Sequence, residues 1–388
     1  MKSSILRINI FVFLYSLAAN FVHPVTPTFI KMLGLHDYMF GLAFGMMSLA
    51  NFLFSPFWGK MSERLGPARV ISFSLIGYSI MQLFFGMATQ EWQICAVRFI
   101  GGFFISAISV AQILFIMQNS DQPGKDLALM TMNNTVVSQF GFLIGGFIGD
   151  ISVKLTFFVQ AACLAAIGVY VFFALHDKER KQTAFSVKDI NPFADFAAAR
   201  DVLNTYTSLF LAIAAMSSLG ATCYEQCFNY YIKDVFGFPS SYNGIVKAII
   251  GFVCLGLNYL VALKIIRRGR SDFSIIWVFA LLILLMLGVI GIEVLIPFLI
   301  VNILFFGVNS IVKTVTHNMI VEHTGEKEAE TAGLYNAISM LGNVAGSFLA
   351  GFVYEIGPKT SFVVSAAAMA CCLILSIAHL NVGKKQRR

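Results

Sequence analysis

Three ionisable side chains, Glu225, Lys247 and Lys313, lie in stretches that are otherwise apolar enough to cross a lipid bilayer. Because a charge in the hydrocarbon core costs on the order of several kcal/mol, such groups usually face a cavity and bind an ion, a proton or a polar solute. A carboxyl group in a low-dielectric cavity also holds a proton more readily than one in water. We therefore predict that Glu225 carries a proton; a structural ion pair with Lys247 or Lys313 is the alternative.

Polar side chains recur at helical spacing along the same stretches. Residues three or four apart share one face of a helix, and in lipid a polar face must turn toward the protein interior. Hydrogen bonding between helices explains any single Asn, but it accounts poorly for three charges. The predicted substrate-binding residues are Lys247, Lys313, Asn309, Asn20, Asn229 and Asn243.

Membrane-spanning helices are the elements that must position these groups. The chain is 58% hydrophobic and 12% charged, whereas a soluble domain is about 25% charged. A helical crossing needs about 20 residues, which predicts an all-α integral membrane protein with twelve transmembrane helices. The predicted spans are 5–30, 38–60, 67–88, 92–118, 127–150, 154–175, 205–231, 240–264, 273–291, 295–318, 330–353 and 360–380.

The basic residues predict the orientation of the chain. Of the 27 Lys and Arg residues, twenty fall in the two tails and the loops of one side, and only Lys31, Lys154, Lys233 and Lys359 fall on the other. The remaining three lie within spans. Since the loops richer in Lys and Arg stay inside, both termini are predicted to be cytoplasmic and the protein to lie in the cell membrane. The net charge of +7 is thus a topology signal, and no nucleic acid is expected as a partner.

Enzymatic chemistry has little support in the sequence. The seven cysteines all lie in predicted spans without a completing set of ligands, so no metal and no other cofactor is predicted. No nucleophile–base pair and no nucleotide-binding loop stands out. A non-transporting receptor, assembly factor or membrane enzyme remains an alternative class, although a receptor would be expected to carry an extra soluble domain.

Glycine spacing suggests that the chain is built from two related six-helix halves. Gly141, Gly145 and Gly149 in the fifth span are echoed by three glycines about 201 residues later in the eleventh, and glycines at this spacing let helices approach closely. Internal duplication is common in secondary transporters. The predicted division is 1–175 for the first half, 176–204 for a cytoplasmic linker, 205–380 for the second half and 381–388 for a basic cytoplasmic tail.

The loop after the second span, from Gly59 to Arg69, combines an acid, basic residues and glycines. It closely resembles the signature loop of the major facilitator superfamily, with Glu63 where that family usually has Asp, and the twelve spans extend the resemblance over the whole chain. In the family this loop is a conformational latch. The resemblance therefore implies latch roles for Gly59, Glu63, Arg64, Gly66 and Arg69.

Two further motifs are similar to those of the drug/proton antiporters in this superfamily. Arg98, followed by Gly101 and Gly102, resembles the motif of the fourth span, whose Arg is implicated in proton transfer. The glycine-rich fifth span resembles the antiporter motif but departs from it at two positions. Gly146 replaces the usual Pro, and Asp150 replaces a final Gly.

The resemblance and the buried charges together predict a secondary transporter working by alternating access. Two lysines against one glutamate leave spare positive charge, so we predict proton-coupled export of a small amphiphilic molecule that is neutral or anionic. Glu225 and Arg98 would couple the proton. Uptake of an organic anion with a proton, or flipping of a lipid or lipid-linked substrate, are the alternatives. The expected partners are the substrate, protons and the bilayer, and the expected state is a monomer.

Overall fold

A computed structural model describes residues 2–177, 191, 203–269, 271–324 and 328–386. Most of the predicted linker, 176–204, lies outside the described residues. The described part of the chain is helical and contains no strand. Its helices are α1 (Lys2–Ala18), α2 (Thr26–Met32), α3 (Met39–Leu65), α4 (Pro67–Met87), α5 (Glu91–Asn119), α6 (Pro123–Ile151), α7 (Val153–Ala174), α8 (Thr205–Asp234), α9 (Ser240–Leu257), α10 (Leu263–Arg267), α11 (Ser271–Gly291), α12 (Leu295–Thr324), α13 (Glu328–Tyr354) and α14 (Thr360–Gln386).

The predicted all-α membrane fold is confirmed. Within the described residues, eleven helical segments are long and apolar enough to cross a bilayer, and Ile5–Ala18 is a shorter apolar helix. One of the eleven, Ser240–Arg267, includes α9, a π-helical turn over Asn258–Ala262 and α10. Eleven long segments and one short one are consistent with the predicted twelve-helix layout.

The first predicted span, 5–30, is interrupted between α1 and α2. α1 ends at Ala18 and α2 begins only at Thr26. Pro24 and a second proline at the start of α2 break the backbone hydrogen-bond ladder, since proline has no N–H to donate. Within the break, the side-chain amide of Gln160 donates to the backbone carbonyls of Ala18 and Ala19, at 2.9 and 2.8 Å. A helix break at membrane depth is tolerated when side chains satisfy its backbone in this way.

The chain folds as two compact units. The first, unit 1, comprises Met1–Met39, Met46–Ala194 and Gly237–Ala248. The second, unit 2, comprises Phe40–Gly45, Asp195–Phe236 and Ile249–Arg388. α3 and α9 each contribute to both units.

In unit 1, glycines allow α6 to lie directly against the end of α1. A Cβ atom on Gly141 would be 2.3 Å from the carbonyl oxygen of Leu17, and one on Gly145 would be 2.0 Å from that of Phe21. Real Cβ atoms do not approach so closely. The two glycines of α6 therefore pack directly against two backbone carbonyl groups that are one helical turn apart. A side chain at either position would prevent this contact.

Unit 2 repeats this packing with α13 and α8. A Cβ atom on Gly342 would be 2.5 Å from the carbonyl oxygen of Ala215, and one on Gly346 would be 2.4 Å from that of Leu219. The spacing of four residues on each helix is the same as in unit 1. Duplication of one ancestral half predicts this correspondence.

Candidate transport cavity

Unit 2 contains a cavity of about 460 Å³ between α8, α12 and α13. It brings together three of the residues predicted from the sequence, Glu225, Asn309 and Lys313. The complete lining is Ser217, Ser218, Ala221, Thr222, Glu225, Asn309, Val312, Lys313, Thr316, His317, Tyr335, Asn336, Ser339, Met340 and Asn343.

Side-chain contacts define how α8 and α12 run along this cavity. The hydroxyl of Tyr224 on α8 donates to Oδ1 of Asn302 on α12, at 2.6 Å. Tyr335 of α13 stacks on Phe210 of α8 at 5.6 Å between ring centroids, and its hydroxyl lies 3.0 Å from Oγ1 of Thr316 on α12. Phe210 of α8 is therefore close to Thr316 of α12, by way of Tyr335, and Tyr224 is close to Asn302. Since residue numbers rise along α8 as they fall along α12, the two helices are antiparallel.

The charged side chains are separated along the cavity. Lys313 and His317 are one helical turn apart on α12, and the ring of His317 packs edge-on to that of Tyr335 at 5.6 Å. Glu225 follows Tyr224, whose ring stacks on that of Phe305 of α12 at 3.7 Å between centroids. Since Lys313 is eight positions beyond Phe305 (313 − 305), Glu225 and Lys313 differ in position by about 12 Å along the helix axis. One end of the cavity is basic, and the other carries a carboxyl group.

The wall between these ends is rich in hydroxyl and amide groups. Oγ1 of Thr222 donates to Oδ1 of Asn343 at 2.8 Å, which fixes α8 to α13. Most ligand pockets are lined mainly by apolar side chains with a few polar groups, whereas most of the described side chains that line this cavity carry polar atoms; Ala221, Val312 and Met340 are the apolar ones among them. The cavity is therefore suited to a solute that forms many hydrogen bonds.

The polar face of α13 was missed by the sequence analysis. Tyr335, Asn336, Ser339 and Asn343 all line the cavity, and their spacing of three or four residues is the signal that identified the stripes in other spans. The eleventh span was instead interpreted through its glycines alone.

Three further asparagines on the membrane-spanning helices of unit 2, of which Asn229 was a predicted binding residue, do not line the cavity. Asn229 is buried on α8. Asn302 is buried between helices, where it accepts from Tyr224, and Asn258 donates to the hydroxyl of Ser310 at 2.8 Å. Asn258 and Asn302 thus form hydrogen bonds between helices, which was the alternative interpretation for a single Asn.

The remaining substrate-binding candidates belong to unit 1. The amide of Asn20 donates to the carbonyl of Ser16 at 2.7 Å, within the break after α1. Asn243 and Lys247 are both buried on α9, each with 3% exposure. The ammonium of Lys247 lies 5.6 Å from the ring centroid of Phe142, within range of a cation–π contact.

Arg98 is buried in α5 of unit 1, with 3% exposure. Its guanidinium carbon lies 4.1 Å from the ring centroid of Phe85, and Nη1 is 3.5 Å from the sulfur of Met47. A positive charge over an aromatic face is stabilised by the ring quadrupole. Arg98 therefore does not extend to the membrane surface, and its charge is held inside the helix packing.

The predicted latch loop joins α3 to α4. Gly66 adopts a φ of +96°, a conformation that favours glycine. The ammonium of Lys60 lies 3.9 Å from the carboxylate of Glu63, and both side chains are about 40% exposed. Arg64 is exposed, and a Cβ atom on Gly59 would make only an ordinary contact.

Asp177, which the sequence analysis did not assign, holds the end of this loop. Its carboxylate accepts from the backbone N–H of Ala68 at 2.7 Å and lies 4.0 Å from Nε of Arg69. A Cβ atom on Gly66 would be 2.1 Å from the same carboxylate. An acid at the start of α4 is stabilised by the helix dipole. The only sequence signal was its place in the charged run after the sixth span.

The environment of Asp177 affects its protonation. Burial raises the pKa of its carboxyl above the ordinary value, while the amides of Ala68 and Arg69 and the charge of Arg69 act in the opposite direction. Because the folded-state pKa is raised, this group contributes most to stability at low pH, and that contribution is lost as the pH rises through the folded-state value. Its hydrogen bonds therefore offset the cost of burying the charge only in part.

Replacing Asp177 with Ala should destabilise the start of α4. Loss of a capping side chain costs about 1 kcal/mol, so the purified variant should unfold at a lower temperature and the latch loop should be digested faster in limited proteolysis. Asp121, an exposed acid before α6, provides the control as Asp121→Ala. Equal losses in both variants would contradict a specific role for Asp177.

The two departures from the antiporter motif coincide with a close contact between α6 and α9 within unit 1. A Cβ atom on Gly146 would be 2.7 Å from the carbonyl oxygen of Ser240, and one on Gly149 would be 3.3 Å from Cβ of Ser240. The carboxylate of Asp150 accepts from the backbone N–H of Ser241 at 3.2 Å. Any side chain at position 146 would collide with α9, and Asp150 caps its first turn.

Apolar helices that cross a membrane, together with a polar, charged cavity among three of them, define a multi-pass membrane transporter. Residues 8–317 match the sequence profile of the Major Facilitator Superfamily. The chain belongs to this superfamily, and its members are transporters, not enzymes. It is accordingly a multi-pass protein of the cell membrane.

Relatives of the chain include proteins named for drug resistance. The chain is 23% identical over 382 residues to Multidrug resistance protein 2 of Bacillus subtilis (strain 168), covering 96% of this chain and 94% of that protein. It is 24% identical over 355 residues to Quinolone resistance protein NorA of Staphylococcus aureus (strain COL), covering 89% and 88%. Among solved structures, the nucleoside transporter NupG has the same fold, with a TM-score of 0.75, 14% identity and coverage of 98% of this chain and 99% of that one.

Proposed function

We propose that this protein exports a small neutral or anionic organic molecule in exchange for protons, by alternating access. The observation that carries the proposal is the cavity in which Glu225 lies among hydroxyl, amide and basic groups. Two relatives are named for multidrug resistance and quinolone resistance, and this supports export of organic molecules over uptake.

Glu225 would take up the transported proton. A carboxyl group in a cavity of low dielectric can alternate between its neutral and charged forms as access changes sides. Arg98, which is buried over the ring of Phe85, would assist in proton coupling. This role is implied by the resemblance of its surroundings to the fourth-span motif of the drug/proton antiporters. The two halves, 1–175 and 205–380, would move relative to each other during transport, with both termini in the cytoplasm.

The substrate would contact Lys313 and Asn309 in the cavity. Lys247, Asn20, Asn229 and Asn243 remain further binding candidates from their places on the predicted polar stripes.

The loop with Gly66 at its centre would act as the conformational latch, held through Asp177. The protein would act as a monomer.

Proton-coupled uptake of an organic anion is the second candidate function. It is favoured by Lys313 and His317, which place two nitrogen-bearing side chains at one end of the cavity. The direction of coupling separates the two functions, because an exporter exchanges substrate for protons and an uptake system moves both together.

Everted membrane vesicles with an acidic lumen test both functions. Lipophilic cations, neutral amphiphiles, hydrophilic zwitterions and organic anions would be added separately outside, and the pH gradient would be followed with a fluorescent probe. An exporter should dissipate the gradient with a neutral, zwitterionic or anionic compound, and vesicles without the protein should not respond. Dissipation only by a compound loaded into the lumen would indicate uptake. A response to lipophilic cations alone would contradict the proposed substrate class.

A further inference from the structure

Resting on the proposed transport function, we infer that the cavity selects an elongated, hydrophilic zwitterion. Its anionic group binds at Lys313 and His317, and its ammonium group binds at Glu225. This substrate class differs from the amphiphile that the sequence suggested, because the lining includes few apolar side chains.

The anionic end of the ligand has two donors on one helix face. Lys313 and His317 are four residues apart on α12 and both line the cavity. A carboxylate can accept from the ammonium of Lys313 and from a ring N–H of His317 at the same time. Hydrogen bonds between charged groups are shorter and stronger than neutral ones. The contact of His317 with Tyr335 keeps its ring at this end of the cavity.

The cationic end is set by Glu225. A carboxylate that faces a polar cavity attracts a positive group, and the substrate ammonium and the proton then compete for it. Protonation of Glu225 would release the ammonium. This competition links the recognition of the substrate to the exchange of a proton at one side chain.

The length of the ligand follows from the antiparallel helices. Glu225 and Lys313 differ in position by about 12 Å along the helix axis. The long side chain of Lys313 extends several ångströms from its helix, so the two charges of the ligand should be roughly 10 Å apart. A compact zwitterion such as a free amino acid is too short to contact both ends and would bind at only one of them.

The middle of the cavity favours a polar body. Asn309, Asn336 and Ser339 also line the cavity, and a buried polar group without a hydrogen-bond partner is costly. An apolar ligand body would remove water from these groups without replacing its hydrogen bonds. A lipophilic cation would also meet the positive charge of Lys313.

Glycine peptides measure this selectivity because their length changes without a change of side chain. Binding of glycine, triglycine, N-acetyl-triglycine and triglycinamide to the purified protein would be measured by calorimetry at pH 7, without a proton gradient. An extended residue spans about 3.5 Å, so triglycine separates its charges by roughly 10 Å. Triglycine should bind at least about tenfold tighter than glycine and than either capped peptide.

Two variants test which side chain binds the carboxylate of the peptide and which binds its ammonium group. In Lys313→Gln, triglycine and triglycinamide should bind equally, because the carboxylate no longer has its partner. In Glu225→Gln, triglycine and N-acetyl-triglycine should bind equally. Lys154→Gln, which changes an exposed lysine of unit 1, should preserve the wild-type preferences.

The inference is overturned if none of the four compounds binds, or if a capped peptide binds wild type as tightly as triglycine. It is also overturned if the preferences survive in both variants. The proposed function is tested separately by the vesicle assay. Gradient collapse by another class of compound would leave the transport proposal standing while the zwitterion inference fails.

Discussion

Replacing Glu225 with Gln should abolish substrate-driven proton movement and leave the protein folded. Gln has nearly the same shape and keeps hydrogen-bonding capacity, but it cannot take up or release a proton. Removal of a proton-transferring group commonly lowers rates by about 10²–10⁴-fold, so coupled transport in everted vesicles should fall at least about 100-fold. Thermal unfolding of the purified variant should match wild type.

Two companion variants control this experiment. Glu225→Asp keeps the carboxyl group and should retain part of the coupling. Glu355→Gln removes an exposed acid of unit 2 that does not line the cavity, and it should transport as wild type does. If Glu225→Gln still moves protons with substrate, Glu225 is a structural ion-pair partner and another group carries the proton.

Replacing Gly145 with Val should strongly destabilise the protein. Even a single carbon at this position would lie 2.0 Å from the carbonyl oxygen of Phe21, and the obstacle is backbone, which cannot rotate aside as a side chain can. Overpacking of a core typically costs about 1–3 kcal/mol and occasionally more. We expect little monodisperse protein after detergent extraction, measured by fluorescence-detected size-exclusion chromatography.

Gly124 gives a matched control on the same helix. A Cβ atom there would meet nothing within 4 Å, so Gly124→Val should be extracted and unfold nearly as wild type does. Gly346→Val, the equivalent change in unit 2, should be as damaging as Gly145→Val because its Cβ would lie 2.4 Å from the carbonyl of Leu219. A well-folded Gly145→Val protein would contradict the close approach of α1 and α6.

The membrane-spanning helices could be predicted from the sequence because a bilayer leaves few alternatives. Backbone polar groups have no water to bind in the hydrocarbon core, so apolar stretches of sufficient length must be helical. The boundaries of the ninth and tenth spans, predicted at 273–291 and 295–318, correspond to Ser271–Gly291 and Leu295–Thr324. The hydrogen bonds that satisfy the break in the first span could not be predicted in this way, because their donor, Gln160, is more than a hundred residues away.

The sequence by itself also determined which helix faces are polar, since that depends only on spacing along one chain. It could not determine what each face meets. Asn302 and Asn309 share a face of α12, yet Asn302 is buried against Tyr224 and Asn309 lines the cavity. Asp177 reaches the latch loop from 109 positions beyond Ala68. Such contacts join segments that are distant in sequence, and only the packing of the helices brings them together.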